Sequence, residues 1–200
     1  SLPAQAQHAV PPDLRGKSFL ITGTSSGFGR LGALHYARLG AKVFATMRNL
    51  PRPEAAELRE IARTERLDLR VLALDVLSDD QVAAAVAEAE RRAGGALDVL
   101  VNNAGVVIGG PIEVHDMEAA RLAFDTNVFG YHRLARAVLP AMRARKAGLI
   151  VNVSSQQGRV IMPGSGSCAA SSDSGRVRRH SGSPSTTSPP PSTSRNTRTS

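Results

Sequence analysis

The sequence predicts an α/β chain: a doubly wound parallel sheet of five strands with helices on both faces. Two observations carry this reading. Apolar runs at residues 18–21, 41–46, 69–74, 96–101 and 148–153 alternate with longer segments of helical period. Small polar motifs also sit directly behind these runs, T-G-T-S-S-G-F-G at 22–29 and N-N-A-G at 102–105, where a parallel sheet presents the ends of its strands.

The first strand, 18–21, leads into the glycine turn. Gly23 turns sharply, Gly27 lets the backbone approach a pyrophosphate, and Gly29 lets the following helix pack close to the strand. Strand, glycine turn and helix start together are how a dinucleotide site begins, with the free N–H groups of the helix facing the phosphates, the alternative being an ordinary strand-to-helix turn. The helix over 27–39 carries Leu31, Leu34, His35 and Leu39 near helical spacing and stops at Gly40; His35 reads as a helix-face residue. The second strand, 41–46, is followed by Met47-Arg48 with no carboxylate. An acid at this strand end accepts the ribose hydroxyls of NAD, whereas a base favours the 2′-phosphate of NADP. Arg48 therefore points to NADP(H) over NAD(H), the alternative being a solvated loop arginine. Ser25 and Ser26 offer hydroxyl donors to the same phosphate, although small turn residues need no such role.

A charged helical segment, 53–66, precedes the third strand, 69–74, which ends in Asp75-Val76. Ser78-x-x-Gln81 reads as a capping box that starts a helix running to about residue 92, and Gly94-Gly95 ends it. The fourth strand, 96–101, delivers Asn102-Asn103-Ala104-Gly105, whose amides can tie strand ends while the small residues leave room for a cofactor. A long helix is predicted over 116–145, with Asn127 and Gly130 in its interior. Both cost helix propensity, so neither reads as an indifferent surface residue. The fifth strand, 148–153, ends in Ser154-Ser155.

The turn at 22–29 and the N-N-A-G motif, in register on their strand ends, resemble the short-chain dehydrogenase/reductase family over about residues 17–166. The resemblance implies a Rossmann-like fold and hydride transfer between NADP(H) and a small-molecule alcohol or ketone. It implies cofactor contacts from Gly23, Ser25, Ser26, Gly27, Phe28, Gly29 and Arg48, with Asn103, Ala104 and Gly105 beside them. Asp75 and the backbone of Val76 are implied to hold the adenine ring. Asn127 is implied to kink its helix and hold a water of the proton relay, and Ser155 to hydrogen-bond the substrate carbonyl.

The same resemblance calls for a tyrosine and, four residues later, a lysine on the helix after the fifth strand. A phenol with an ordinary pKa of about 10 transfers protons poorly at neutral pH unless a cation lowers it. Here Cys168 stands at the tyrosine position and Ser172 at the lysine position. The only tyrosines are Tyr36 and Tyr131 and the only lysines Lys17, Lys42 and Lys146, so no such pair occurs elsewhere. The Cys168 thiol is too short to reach the same carbonyl, and Ser172 supplies no charge to tune it. The expectation is an inactive or severely impaired member of the family. The alternatives are a non-catalytic dinucleotide-binding module or a misfolded truncated product.

Composition sets the remaining bounds. The net charge of +8 divides evenly, for residues 1–163 carry 20 basic and 16 acidic side chains and 164–200 carry five arginines against Asp173. An ordinary mixed surface over the body argues against nucleic acid as a partner. A single cysteine excludes an internal disulfide or a cysteine-based zinc site, no metal site is expected, and no run approaches a membrane span, so the expected compartment is cytoplasmic. Three regions are expected: a flexible lead at 1–16, the dinucleotide-binding domain at 17–163, and a disordered Ser/Pro/Thr/Arg-rich tail at 164–200. After Met162 there is no Leu, Ile, Phe, Met or Tyr, an abrupt loss of apolar pattern for which the expected cause is a reading-frame shift near codon 168, a Ser/Pro-rich regulatory tail being the competing account. By the resemblance, the dimer helix pair is incomplete, so loose oligomers or aggregation are expected.

Overall fold

The computed structural model describes residues 12–110 and 112–156. The predicted tail, Cys168 and Ser172 lie outside the described residues, as does most of the predicted lead. Of that lead, residues 12–16 are described: Arg15 and Gly16 make a turn closed by the Lys17 N–H on the Leu14 carbonyl at 3.0 Å, and the Leu14 N–H donates to the Leu39 carbonyl at 2.9 Å.

Five parallel strands form one sheet in the order β3-β2-β1-β4-β5, with β1 (Ser18–Ile21) at the centre. Around it lie β2 (Lys42–Met47), β3 (Leu69–Ala73), β4 (Val99–Asn102) and β5 (Leu149–Asn152). The order reverses between β1 and β4, and a doubly wound sheet opens a crevice at such a switch point. Side chains alternate between the faces, so each central strand feeds two cores and reads as a continuous apolar run. Ile21, Val43 and Ala45 pack under α1 (Gly27–Arg38) and α2 (Pro53–Thr64). Leu20, Phe44 and Leu100, all fully buried, pack under α3 (Asp79–Ala93) and under α5 (Gly130–Arg145) through Leu134 and Val138. The α/β fold class expected from the alternating pattern is the observed one.

Two local predictions take a different form. The capping box at Ser78 is half realised: its Oγ accepts from the Gln81 N–H at 3.3 Å, but the Gln81 side-chain Oε1 accepts from the Asp75 N–H at 3.0 Å. The reason is competition, since the Ser78 N–H already donates to the Asp75 carbonyl at 3.1 Å. The long helix over 116–145 is interrupted: α4 (Met117–Phe124) passes through one wide π-turn, Asp125–Phe129, before α5 begins. Such turns displace the backbone and occur often at functional sites. Gly130 closes this one because α5 rides directly on Val76; a Cβ there would lie 2.9 Å from the Val76 side chain.

Among the described residues no helix is long and apolar enough to cross a membrane.

Candidate functional site

The carboxyl ends of β1, β2, β3 and β4 surround an open cleft of about 340 Å³, within the size range of small-molecule sites. Its shape is set by threonines that lace the strand ends together. Thr22, fully buried, accepts at Oγ1 from the N–H groups of both Asn103 and Ala104, each at 2.9 Å. The Asn103 amide returns the bond, donating to the carbonyl oxygens of Thr22 at 2.9 Å and Gly23 at 3.2 Å. On the other side Thr24 Oγ1 donates to the Thr46 carbonyl and Thr46 Oγ1 to the Ile21 carbonyl, both at 3.1 Å. The glycine turn is thereby fixed to β2 and to the N-N-A-G segment before any ligand binds. Asn102 performs the tie expected of it, its Nδ2 donating to Asn152 Oδ1 at 2.9 Å across β4 and β5.

The turn itself suits an anion. Gly23 has a left-handed φ of 68° and lies so close to Ala104 that a Cβ would approach its Cα to 2.8 Å. Ser26 is the N-cap of α1 but its side chain makes no capping bond, and the first turn carries no acid. The opening N–H groups of α1 therefore keep their donor capacity and the positive end of the helix its field. By contrast the caps of α3 and α4, Ser78 and Asp116, both accept helix N–H groups with their side chains.

Of the sequence-predicted contacts, Gly23, Ser25, Ser26, Arg48, Asp75 and Val76 line this one cleft, as do Asn103, Ala104 and Gly105. Asp75 Oδ1 accepts from the Leu77 N–H at 3.0 Å to make a turn, and the residue also lines the cleft. Gly29 lies buried beneath the turn, while Gly27 and Phe28 are exposed on the helix start, Phe28 at 83%. These three shape or flank the turn without lining the cleft. Asn127 does not line it either. Its amide pairs reciprocally with the Val106 backbone, accepting from the N–H and donating to the carbonyl, each at 2.9 Å, and so pins the loop behind N-N-A-G. Ser155 is exposed beyond the end of β5, outside the cleft.

Sequence reasoning missed Arg52 and Thr126, which also line the cleft. Thr126 sits in the π-turn, 7% exposed, and the helical period gave no sign that it would face the end of β3. Neither tyrosine lines the cleft. Tyr36 stacks on Phe19 with ring centroids 4.8 Å apart. Tyr131 donates its hydroxyl to the Val153 carbonyl at 3.3 Å, and burial pushes its phenol up to about 12. That shift is opposite to the one a proton donor at neutral pH requires.

A pre-laced glycine turn, an uncapped helix start that donates and a carboxylate at the β3 end that accepts make a set of groups that fits a nicotinamide dinucleotide.

Comparison with known proteins agrees. The family model for short chain dehydrogenases matches residues 17–173. Retinol dehydrogenase 8 of Bos taurus is 43% identical over 148 residues, covering 71% of this chain and 45% of that protein. The mouse 17-beta-hydroxysteroid dehydrogenase type 1 is 39% identical over 150 residues, covering 72% and 42%. Among solved structures, a gluconate 5-dehydrogenase from Burkholderia cenocepacia in complex with NADP and tartrate superposes with a TM-score of 0.74 at 34% identity. The superposition covers 80% of this chain and 62% of that one. The chain thus spans about half the length of the curated relatives it matches. With sheet order, strand-end motifs and overall similarity in agreement, the chain belongs to the short-chain dehydrogenase/reductase family.

Proposed function

We propose that this chain binds NADP(H) in the cleft at the carboxyl ends of β1 to β4, and does so without efficient turnover of carbonyl substrates. The observation that carries the first half is the convergence of the glycine turn, the β3 end and N-N-A-G on one cleft. The preference for the phosphorylated cofactor is supported by Arg48, exposed at the end of β2 where a carboxylate would otherwise receive the ribose hydroxyls. When bound, the nicotinamide supplies or accepts a hydride. The chain's own residues hold the pyrophosphate through the start of α1, receive the adenosine against Asp75 and Val76, and space the two sides through Ala104 and Gly105.

The second half rests on the proton. Reducing a ketone requires an acid at the developing alkoxide, and its loss costs roughly 10² to 10⁴ in rate. Cys168 and Ser172 stand where the family resemblance places the tyrosine and lysine, and Tyr131 is engaged with Val153 just past the end of β5. Ser155 and the Asn127 helix turn are the parts of a carbonyl site that this chain retains.

Titrating the full chain with NADPH and NADH by fluorescence, then assaying a panel of ketones and aldehydes, tests both halves. The expected result is saturable binding, tighter for NADPH, with no turnover above background. Robust turnover overturns the claim of inactivity. Failure to bind either cofactor overturns the cleft assignment and favours a misfolded product.

A further inference from the structure

Two arginines flank the cleft, and only one stands at the strand-end position that sequence reading identifies. Arg48 leaves the end of β2; Arg52 is the N-cap residue of α2. The chain between them folds back on itself, because Asn49 takes a left-handed φ of 57° and Leu50 packs into the core beneath. Both arginines consequently line the main cleft. Both also line a hollow beside it, completed by Asn49, Pro53, Glu54 and Glu57.

Their electrostatic situations differ. Arg48 is exposed and makes no ion pair among the described residues. Arg52 is held in place, its Nε and Nη2 donating to the two oxygens of Glu54 at 2.9 and 2.8 Å. That fork occupies one edge of the guanidinium and leaves its other N–H donors for a second anion. The neighbouring acids are already neutralised: Glu54 by Arg52, and Glu57 by Arg30 of α1 at 2.7 Å. The uncompensated positive charge of the hollow is therefore that of Arg48, with Arg52 aimed beside it.

We propose that Arg52 is a second ligand of the cofactor's 2′-phosphate, held in register by Glu54, so that the phosphate is gripped from both ends of the 48–52 turn. This rests on the NADP(H) reading above and extends it to a residue outside the strand-end position.

The test uses the full chain and two fragments that differ only in the phosphate, 2′,5′-ADP and 5′-AMP, titrated by calorimetry. A charge-assisted bidentate contact predicts that the wild type prefers 2′,5′-ADP by tenfold or more, and that Arg52→Gln lowers this preference by about tenfold. Affinity for 5′-AMP stays unchanged, which also reports that the variant is folded. Arg52→Lys keeps the charge without the fork and lowers the preference by about threefold. If both variants keep the wild-type preference, the role of Arg52 is overturned and the NADP(H) reading stands. If the wild type binds the two fragments equally, the NADP(H) reading fails first and Arg52 with it. If neither fragment binds, the dinucleotide cleft itself is overturned.

Discussion

At position 29 only a hydrogen atom fits. A Cβ would lie 2.3 Å from the Gly23 carbonyl oxygen and 2.4 Å from Asn103 Nδ2, and neither is the free end of a flexible side chain. The carbonyl belongs to the phosphate turn, and the amide is the one that donates to Thr22 and Gly23. Gly29→Ala must therefore push apart the groups that lace the turn to N-N-A-G. Overpacking of this kind costs about 1–3 kcal/mol. The expected outcome is a urea midpoint lowered accordingly, and NADPH affinity weakened by far more than the affinity for adenosine, which carries no phosphate. The asymmetry follows from the proposed site, in which the phosphates would lie over the displaced carbonyl and the adenine at Asp75. Equal weakening of both ligands would place the damage in the fold at large.

At the scale of elements, the strands carry structure at one end and binding at the other. The amino ends of β1 and β4 meet at Asp98, which accepts from both the N–H and the hydroxyl of Ser18, at 2.9 and 3.0 Å. It also faces Lys17 at 3.6 Å and Arg145 of α5 at 3.3 Å. Burial pushes this carboxyl up, but the Ser18 bonds and the two cations outweigh it and hold the group below its ordinary value of 3.8. A depressed native value means that the stabilisation is complete above the unfolded value and is lost as pH falls through the folded one. Asp98→Asn is thus expected to cost about 2 kcal/mol near neutral pH. Its denaturation curve should converge on the wild type's only below about pH 4, and a gap independent of pH would assign the loss to packing instead. The ends of the elements also decide what sequence could show. Apolar runs buried on both faces, the glycine turn and N-N-A-G are local signals, and they located every strand and most of the cleft. Arg52 and Thr126 carry no local signal, and Gly130 shows only its cost to the helix, with no sign of what it touches. They matter through a turn anchored by Leu50, a wide helical turn and the side chain of Val76, contacts between segments dozens of residues apart. The Gln81 bond to Asp75 was hidden for a related reason, since the partner lies one turn outside the motif that named it.

At the scale of the whole molecule, the described domain has an apolar flank without a described partner. Met117 and Leu122 on α4 are 65% and 42% exposed, and Phe124 and Phe129 beside them 36% and 54%. At the sheet edge β5 pairs with β4 alone among the described residues, and Leu149 and Val153 are 43% and 39% exposed. Contiguous exposed apolar surface and an open strand edge are two separate routes to association. They are separable because a charge on α4 blocks the helical route and leaves β5 untouched. The expected outcome in sedimentation velocity is a weight-average mass that rises with protein concentration above the monomer value. Met117→Lys combined with Leu122→Lys should return it to the monomer value without altering NADPH affinity, since neither residue lines the cleft. Association that persists in the double variant transfers the cause to the β5 edge, where a lysine at Val153 would then be the effective substitution. A monomer at every concentration tested would mean that neither surface is adhesive.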